Sequence, residues 1–207
     1  MKKAKIVNYY GDERIASLKR DTKETSIQVK LNVDGKGLYR IQTGIKFFDH
    51  MLSLLSAHSL CDITLKAEGD LDVDYHHTVE DVGLVIGNAL NRALGERAGI
   101  HRYGYAYVPM DEALSRAVID LGGRPYLVYK LATRRKKIKD FDITLVEDFL
   151  RALCIEGRMN LHAEQLYGEE PHHALESLFK AIARAMRQAV AIEHRIAGKV
   201  PSTKGVL

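Results

Sequence analysis

Two short stretches of the chain, HHTVED at His76–Asp81 and HHALES at His172–Ser177, repeat one arrangement: two adjacent histidines with a glutamate three and four positions on. If each stretch opens a helix, residues at i and i+4 share a face, so His76 with Glu80 and His172 with Glu176 can converge on one ion. His77 with Glu80, and His173 with Glu176, are spaced i, i+3 and can converge as well. The two adjacent imidazoles point about 100° apart on a helix. One motif therefore offers its histidines to different metals, and those metals tie together different halves of the chain or different subunits. Imidazole plus carboxylate suits Mn, Fe, Co, Ni or Zn rather than Cu(I) or a thiolate site. The competing reading is a plain helix start, where an early Glu complements the dipole. Two copies at matched places favour metal binding.

Other residues are weighed against that pair. His50, in FFDHML, lies on an apolar helix where a lone histidine is ordinarily structural; its place ahead of a His pair makes it a candidate ligand. His58 and His194 read as helix-end residues, His101 as part of a connection, and His162 as a structural residue of a strand. The terminal PSTKGVL places Ser202, Thr203 and Lys204 in an irregular segment able to hold an anion. Arg102 and Arg124, the latter in a GGRP turn, carry guanidiniums suited to bidentate phosphate binding.

The elements that must position these groups follow from pattern. ETSIQVKLNV alternates as a strand, DGKG supplies a turn, and LYRIQ returns as a second strand. GIKFFDHMLSLLSAHS has helical spacing, CDITLKAEG is strand-like, and a helix runs from about Thr78 to Arg97. The second half repeats the order: YAYVPM, SRAVIDL and PYLVYKL as strands joined by turns, TLVEDFLRALCIE as a helix, RMNLHAEQL as a strand, and a long amphipathic helix from His172 to Arg195. His50 precedes its His pair by 26 residues and Asp148 precedes the other by 24. This predicts an α+β fold made by tandem duplication of a small antiparallel sheet with helices on one face. The halves span 1–99 and 100–195, with a tail at 196–207.

The 207 residues are 46% hydrophobic and 28% charged, the balance of a folded globular chain rather than a disordered one. A net charge of +4 permits an anionic ligand without demanding nucleic acid. The basic run RRKKIK at 134–139 reads as a solvated loop. Two cysteines, Cys61 and Cys154, with no signal peptide and no membrane-length apolar run, predict a cytoplasmic protein without a disulfide staple.

Taken together, FFDHML, HHTVED, GGRPYL, HHALESLFKA and PSTKGVL resemble the imidazoleglycerol-phosphate dehydratase family of histidine biosynthesis, over essentially the whole chain from KRDTKET onward. The absence of a preceding phosphatase domain resembles the monofunctional form. The resemblance implies a fold like domain 2 of ribosomal protein S5, with helices packed between two sheets. It also implies 24-subunit particles built from trimers, with active sites at subunit interfaces and two Mn2+ ions in each. The ligands it implies are His50, His76, His77, Glu80, His172, His173 and Glu176. Glu24 falls at an acid/base carboxylate that contacts substrate, with Glu80 and Glu176 as further catalytic carboxylates. Arg102, Arg124, Lys180, Ser202 and Lys204 fall where the family holds the substrate phosphate. Two positions depart from the pattern: Asp148 stands where the family places a ligating His, and Tyr75 where it often places Asp. Carboxylate is itself a competent Mn ligand, so Asp148 joins the expected ligand set.

The implied reaction dehydrates D-erythro-imidazole glycerol phosphate to imidazole acetol phosphate. It needs an electron sink at the ring, which metal on the ring nitrogens provides, and a carboxylate such as Glu24 to take the carbon-bound proton. Nothing in this chemistry is redox, and the sequence carries no dinucleotide fingerprint. A metal-storage assembly and a dinuclear hydrolase are the rival readings of the His/Glu motifs.

Overall fold

The structure is a computed structural model that describes residues 14–133, 135–196 and 198–205. The chain opens with β1 (Ile15–Asp21), β2 (Thr25–Asn32) and β3 (Tyr39–Gln42), then α1 (Lys46–Ser59), β4 (Asp62–Gly69) and α2 (His76–Leu94). It continues with β5 (Tyr103–Met110), β6 (Ala113–Asp120), β7 (Tyr126–Lys130), a two-residue-per-strand ribbon of β8 (Lys137–Ile138) and β9 (Phe141–Asp142), then α3 (Leu145–Gly157), β10 (Asn160–Tyr167) and α4 (Pro171–Val190). A 3-10 turn at His194–Ile196 follows.

Alternation decides the strands. In β2, Ile27, Val29 and Leu31 are buried while Gln28 and Lys30 face solvent. β6 does the same with Ala113, Ser115, Ala117 and Ile119 inside. The two sheets have the same plan, β1-β2-β4-β3 and β5-β6-β10-β7. In each, the first three strands are antiparallel and the last is parallel to its neighbour.

That parallel edge corrects the hairpin reading of DGKG. β3 does not return along β2; it pairs in parallel with β4, Tyr39 opposite Ile63. A parallel pair needs a crossover, and α1 supplies it between β3 and β4, as α3 does between β7 and β10. The DGKG loop is pinned to β4 instead: the amides of Lys36 and Leu38 both donate to Asp62 Oδ1, each at 2.8 Å. β1 and the β8–β9 ribbon were not anticipated. The RRKKIK run contributes Lys137 and Ile138 to that ribbon, while Arg134 lies outside the described residues. α2 begins two residues earlier than expected, which puts the His pair in its first turn, and α4 ends at Val190 rather than Arg195.

The helices lie between the sheets and carry the shared core. Phe141 of β9, Phe48 of α1, Phe149 of α3 and Phe179 of α4 are fully buried, each ring packed on the next in that order. α2 and α3 cross closely at Gly83 and Gly87, where a Cβ would fall 2.5 Å from the Phe149 carbonyl and 2.6 Å from that of Leu153. That crossing, together with α1 against α4, fixes which helix starts face each other.

Candidate functional site

Glu170 caps α4, its side chain accepting the His172 amide at 3.4 Å, and Pro171 occupies the first helical turn. One turn on, Glu176 Oε1 lies 3.2 Å from His172 Nε2. His50 reaches over from α1, its Nε2 2.8 Å from the same oxygen. The three ligand atoms lie within 4.8 Å of one another. Lys180 donates to the other oxygen, Oε2, at 2.7 Å. Burial alone would push the Glu176 carboxyl up, but Lys180 and the two histidines overcome it and hold it at about 2. Phe47 packs edge-on against the His172 ring.

The other motif forms a looser counterpart. Asp74 Oδ1 accepts the His76 amide at 2.7 Å. His76 Nε2 lies 3.6 Å from Glu80 Oε2, and its Nδ1 lies 3.5 Å from Asp148 Oδ2 on α3. Glu80 and Asp148 thus meet His76 on different ring nitrogens, whereas His50 and His172 both meet one oxygen of Glu176. Each His pair receives its third group from the opposite half of the chain.

The second histidine of each pair turns elsewhere. His77 Nδ1 lies 3.0 Å from Asp70 Oδ2 and 4.0 Å from Glu24 Oε2. His173 Nδ1 lies 2.8 Å from Glu112 Oε2, with Asp111 Oδ2 3.7 Å from its Nε2. Both imidazoles are held above their usual range, His77 chiefly by Asp70 and His173 chiefly by Glu112. Sequence reasoning missed Asp70, Asp111 and Glu112. Glu112 had one usable signal: the turn between the first two strands of its half is the counterpart of the turn that carries Glu24.

Glu24 sits on a tightly held turn. Thr22 Oγ1 accepts the amides of Glu24 (3.1 Å) and Thr25 (2.9 Å), and the Glu24 carbonyl accepts from the Asp70 amide at 3.1 Å. Thr25 Oγ1 donates to the buried Asp81 at 2.5 Å, and Arg20 pairs with the same carboxylate oxygen. Tyr75 donates to Asp140 Oδ2 at 3.0 Å, so it braces the start of α2 against the β8–β9 turn.

The anion-binding candidates lie at the other end of the molecule. Arg102 grips Asp120 through Nε (2.7 Å) and Nη2 (3.2 Å), and its Nη1 donates to the Pro201 carbonyl at 2.8 Å. Arg124 is exposed beside Asn160, which donates to its carbonyl. The Lys204 amide donates to Ser202 Oγ. The Arg102 amide bonds to the carbonyl of Ala189, in the last turn of α4. Ala189 lies seventeen helical steps beyond His172, or about 25 Å. Lys180 belongs to the histidine end. A single chain therefore holds the His/carboxylate clusters and the Arg/tail patch apart by far more than a small phosphorylated molecule spans. Among the other histidines, His101 lies 3.9 Å from Glu193, His162 is exposed on the outer face of β10, and half-buried His58 is depressed by burial and by nearby Lys180 and Arg184. His194 is exposed in the 3-10 turn.

The donor set fits a divalent ion: borderline imidazoles and hard carboxylates converge from separate helices, and the buried Asp70 Oδ1 beside His77 has no hydrogen-bond partner. His50, His172 and Glu176 would hold one ion; His76, with Glu80 at Nε2 and Asp148 at Nδ1, could offer a further ion only one of its nitrogens and the carboxylate on that side. No helix among the described residues is long and apolar enough to cross a membrane.

Fold and site define an α+β protein whose paired helix starts present clustered histidines and carboxylates. The family profile described as imidazoleglycerol-phosphate dehydratase matches residues 43–186. A relative of that name from Nitrobacter hamburgensis is 57% identical over 194 residues, covering 94% of this chain and 98% of its own. One from Rhodopseudomonas palustris is 55% identical with the same coverage. The crystal structure of the Staphylococcus aureus enzyme superposes with a TM-score of 0.79 at 36% identity, covering 86% of this chain and 99% of that one. The Pyrococcus furiosus structure gives 0.79 at 34%, covering 92% and 100%. The chain belongs to the imidazoleglycerol-phosphate dehydratase family, and it is a hydro-lyase.

Proposed function

We propose that this enzyme converts D-erythro-imidazole glycerol phosphate to imidazole acetol phosphate and water, as a step of histidine biosynthesis, at a metal-dependent site closed between copies of the chain. The observation that carries the reading is the convergence of His50, His172 and Glu176 within 4.8 Å in a chain of this family. Bound at the two His/carboxylate clusters, Mn2+ would supply Lewis-acid stabilisation of negative charge on the imidazole ring.

The protein's own groups do the rest. Glu24, fixed by its turn at the mouth of the His77 cluster, accepts the proton from the central carbon of the glycerol chain, one removed from the ring-bearing carbon. The same carboxyl group returns a proton to the hydroxyl leaving the ring-bearing carbon, so water departs and the enol relaxes to the ketone at the central carbon. Lys180 keeps Glu176 ionised and aimed at His50 and His172. At the far end, Asp120 holds the Arg102 guanidinium flat, and Arg102 in turn holds the tail through Pro201. Arg124, Ser202 and Lys204 complete a phosphate patch whose binding energy is remote from the bond that breaks.

The separation of about 25 Å supports a site that joins the histidine end of one copy to the arginine end of another. This favours a symmetric homo-oligomer, the 24-mer of trimers that the family resemblance implies. The matched order and pairing sense of the two sheets support a tandem duplication, with halves at 1–99 and 100–195 and a substrate-binding tail at 196–207. Its medium would be the cytoplasm, with no nucleic-acid partner. The test is turnover of imidazole glycerol phosphate with added Mn2+. Ketone product without free phosphate is expected. Phosphate release would make the enzyme a hydrolase, and neither product would leave a metal-binding assembly.

A further inference from the structure

The two sheets share one strand order, so the β1–β2 turn and the β5–β6 turn are counterparts. The first carries Glu24 and the second Glu112. The two do different things. Glu112 is in direct contact with Nδ1 of His173 at 2.8 Å, whereas Glu24 stands 4.0 Å from Nδ1 of His77. The place that Glu112 takes in the second half is taken in the first by Asp70, from the end of β4, at 3.0 Å. Asp70 is fixed there: its amide donates to the Glu24 carbonyl and its own carbonyl accepts from Val73.

A carboxylate on one ring nitrogen of a ligating histidine decides which nitrogen carries the proton and makes the other a better ligand. Two repeat-equivalent histidines here meet such a carboxylate through the same nitrogen, though the carboxylates come from different elements. We propose that Asp70 and Glu112 are positioning residues that fix His77 and His173 as Nδ1–H tautomers with Nε2 presented to a divalent ion, and that Asp70, by taking this task, leaves Glu24 free for proton transfer. This rests on the reading of His77 and His173 as ligands. Asp111, exposed and 3.7 Å from the His173 Nε2, is the group an ion would displace from that nitrogen.

The test uses the metal-free full chain and needs no turnover. Nitrogen-15 NMR of the imidazoles, recorded above their titration range, reads the tautomer of each ring. Because Glu24 is near enough to substitute for Asp70, Glu24→Ala serves as the parent. In that parent His77 is expected to remain the Nδ1–H tautomer; adding Asp70→Ala abolishes the preference, while Asp70→Asn, which keeps an oxygen acceptor, retains it. Glu112→Ala does the same to His173, and Glu112→Gln spares it. Mn2+ titration of the same variants should show affinity lower by about 10–100-fold for the alanines, at unchanged saturating stoichiometry. Unchanged tautomer and affinity in the alanine variants would overturn the proposal. So would loss of one ion per chain at saturation, since the carboxylate would then be a ligand. A wild-type chain that binds no Mn2+ would sink the proposed function, whereas the tautomer readout decides the orientation of the rings by itself.

Discussion

Replacing Arg97 with Met tests how the two halves are held in register. Arg97 is only 4% exposed, and its guanidinium donates to the carbonyls of Leu121, Gly157 and Arg158 and to Asn91 Oδ1, each at 2.8 Å. Those partners belong to the end of β6, the end of α3 and the last turns of α2, so one side chain ties both halves beside the α2–α3 crossing. Methionine fills similar space but leaves three carbonyls and an amide oxygen without a donor, at about 1–3 kcal/mol for each that stays dry. Against this, the variant recovers the cost of burying a cation, a cost visible in the lowered proton affinity of Arg97. The balance is a loss of about 4 kcal/mol. At roughly 2–4 °C per kcal/mol for a chain this long, Tm should fall by about 8–16 °C. The assay is thermal unfolding of metal-free protein at fixed concentration, with Mn2+ stoichiometry as a control that should not change. A Tm within about 2 °C of wild type would refute the reasoning.

Further outcomes follow from the site. Asp148→Ala should remove the ion it shares with His76 and most of the activity, while Asp148→His should keep both and shift preference toward softer ions; full occupancy with normal turnover in the alanine variant would show that Asp148 is no ligand. Deleting Pro201–Leu207 should raise KM without lowering metal content, measured by steady-state kinetics beside metal analysis. Glu176, ordinarily near 4.5 and held at about 2, contributes stability that is complete above pH 4.5 and is lost as pH falls toward 2. That contribution is roughly 3 kcal/mol, so Glu176→Gln should flatten the acid limb of a Tm-against-pH curve for metal-free protein. Chelation should split the particle into smaller oligomers that Mn2+ restores, as read by light scattering.

What the sequence disclosed was local or periodic. The helix starts at His76 and His172, and the matching spacing of His50 and Asp148, are patterns within one element or between two, and they emerged as facing groups. Pairing sense did not emerge, because the residues of β3 look alike whether the strand returns along β2 or crosses over through α1. Glu112 stayed hidden because it meets its histidine only across 61 residues, and Asp70, seven residues before His77, because the loop between them has no regular spacing that brings the two together. The separation of Arg102 from His172 was equally invisible, since motif order carries no distance. Only the length of α4 reveals that these groups cannot serve one substrate within one chain.

The central claim, a site shared between copies, is tested most directly by mixing two inactive variants. His172→Ala removes a ligand and leaves the arginine end intact; Arg102→Ala does the reverse. Unfolded or dissociated together and reassembled with Mn2+, the mixture unites intact ends from different chains in about a quarter of random pairings. Dehydratase activity is expected to reappear at about that fraction of wild type. Activity no higher than the sum of the two variants reassembled separately would contradict it.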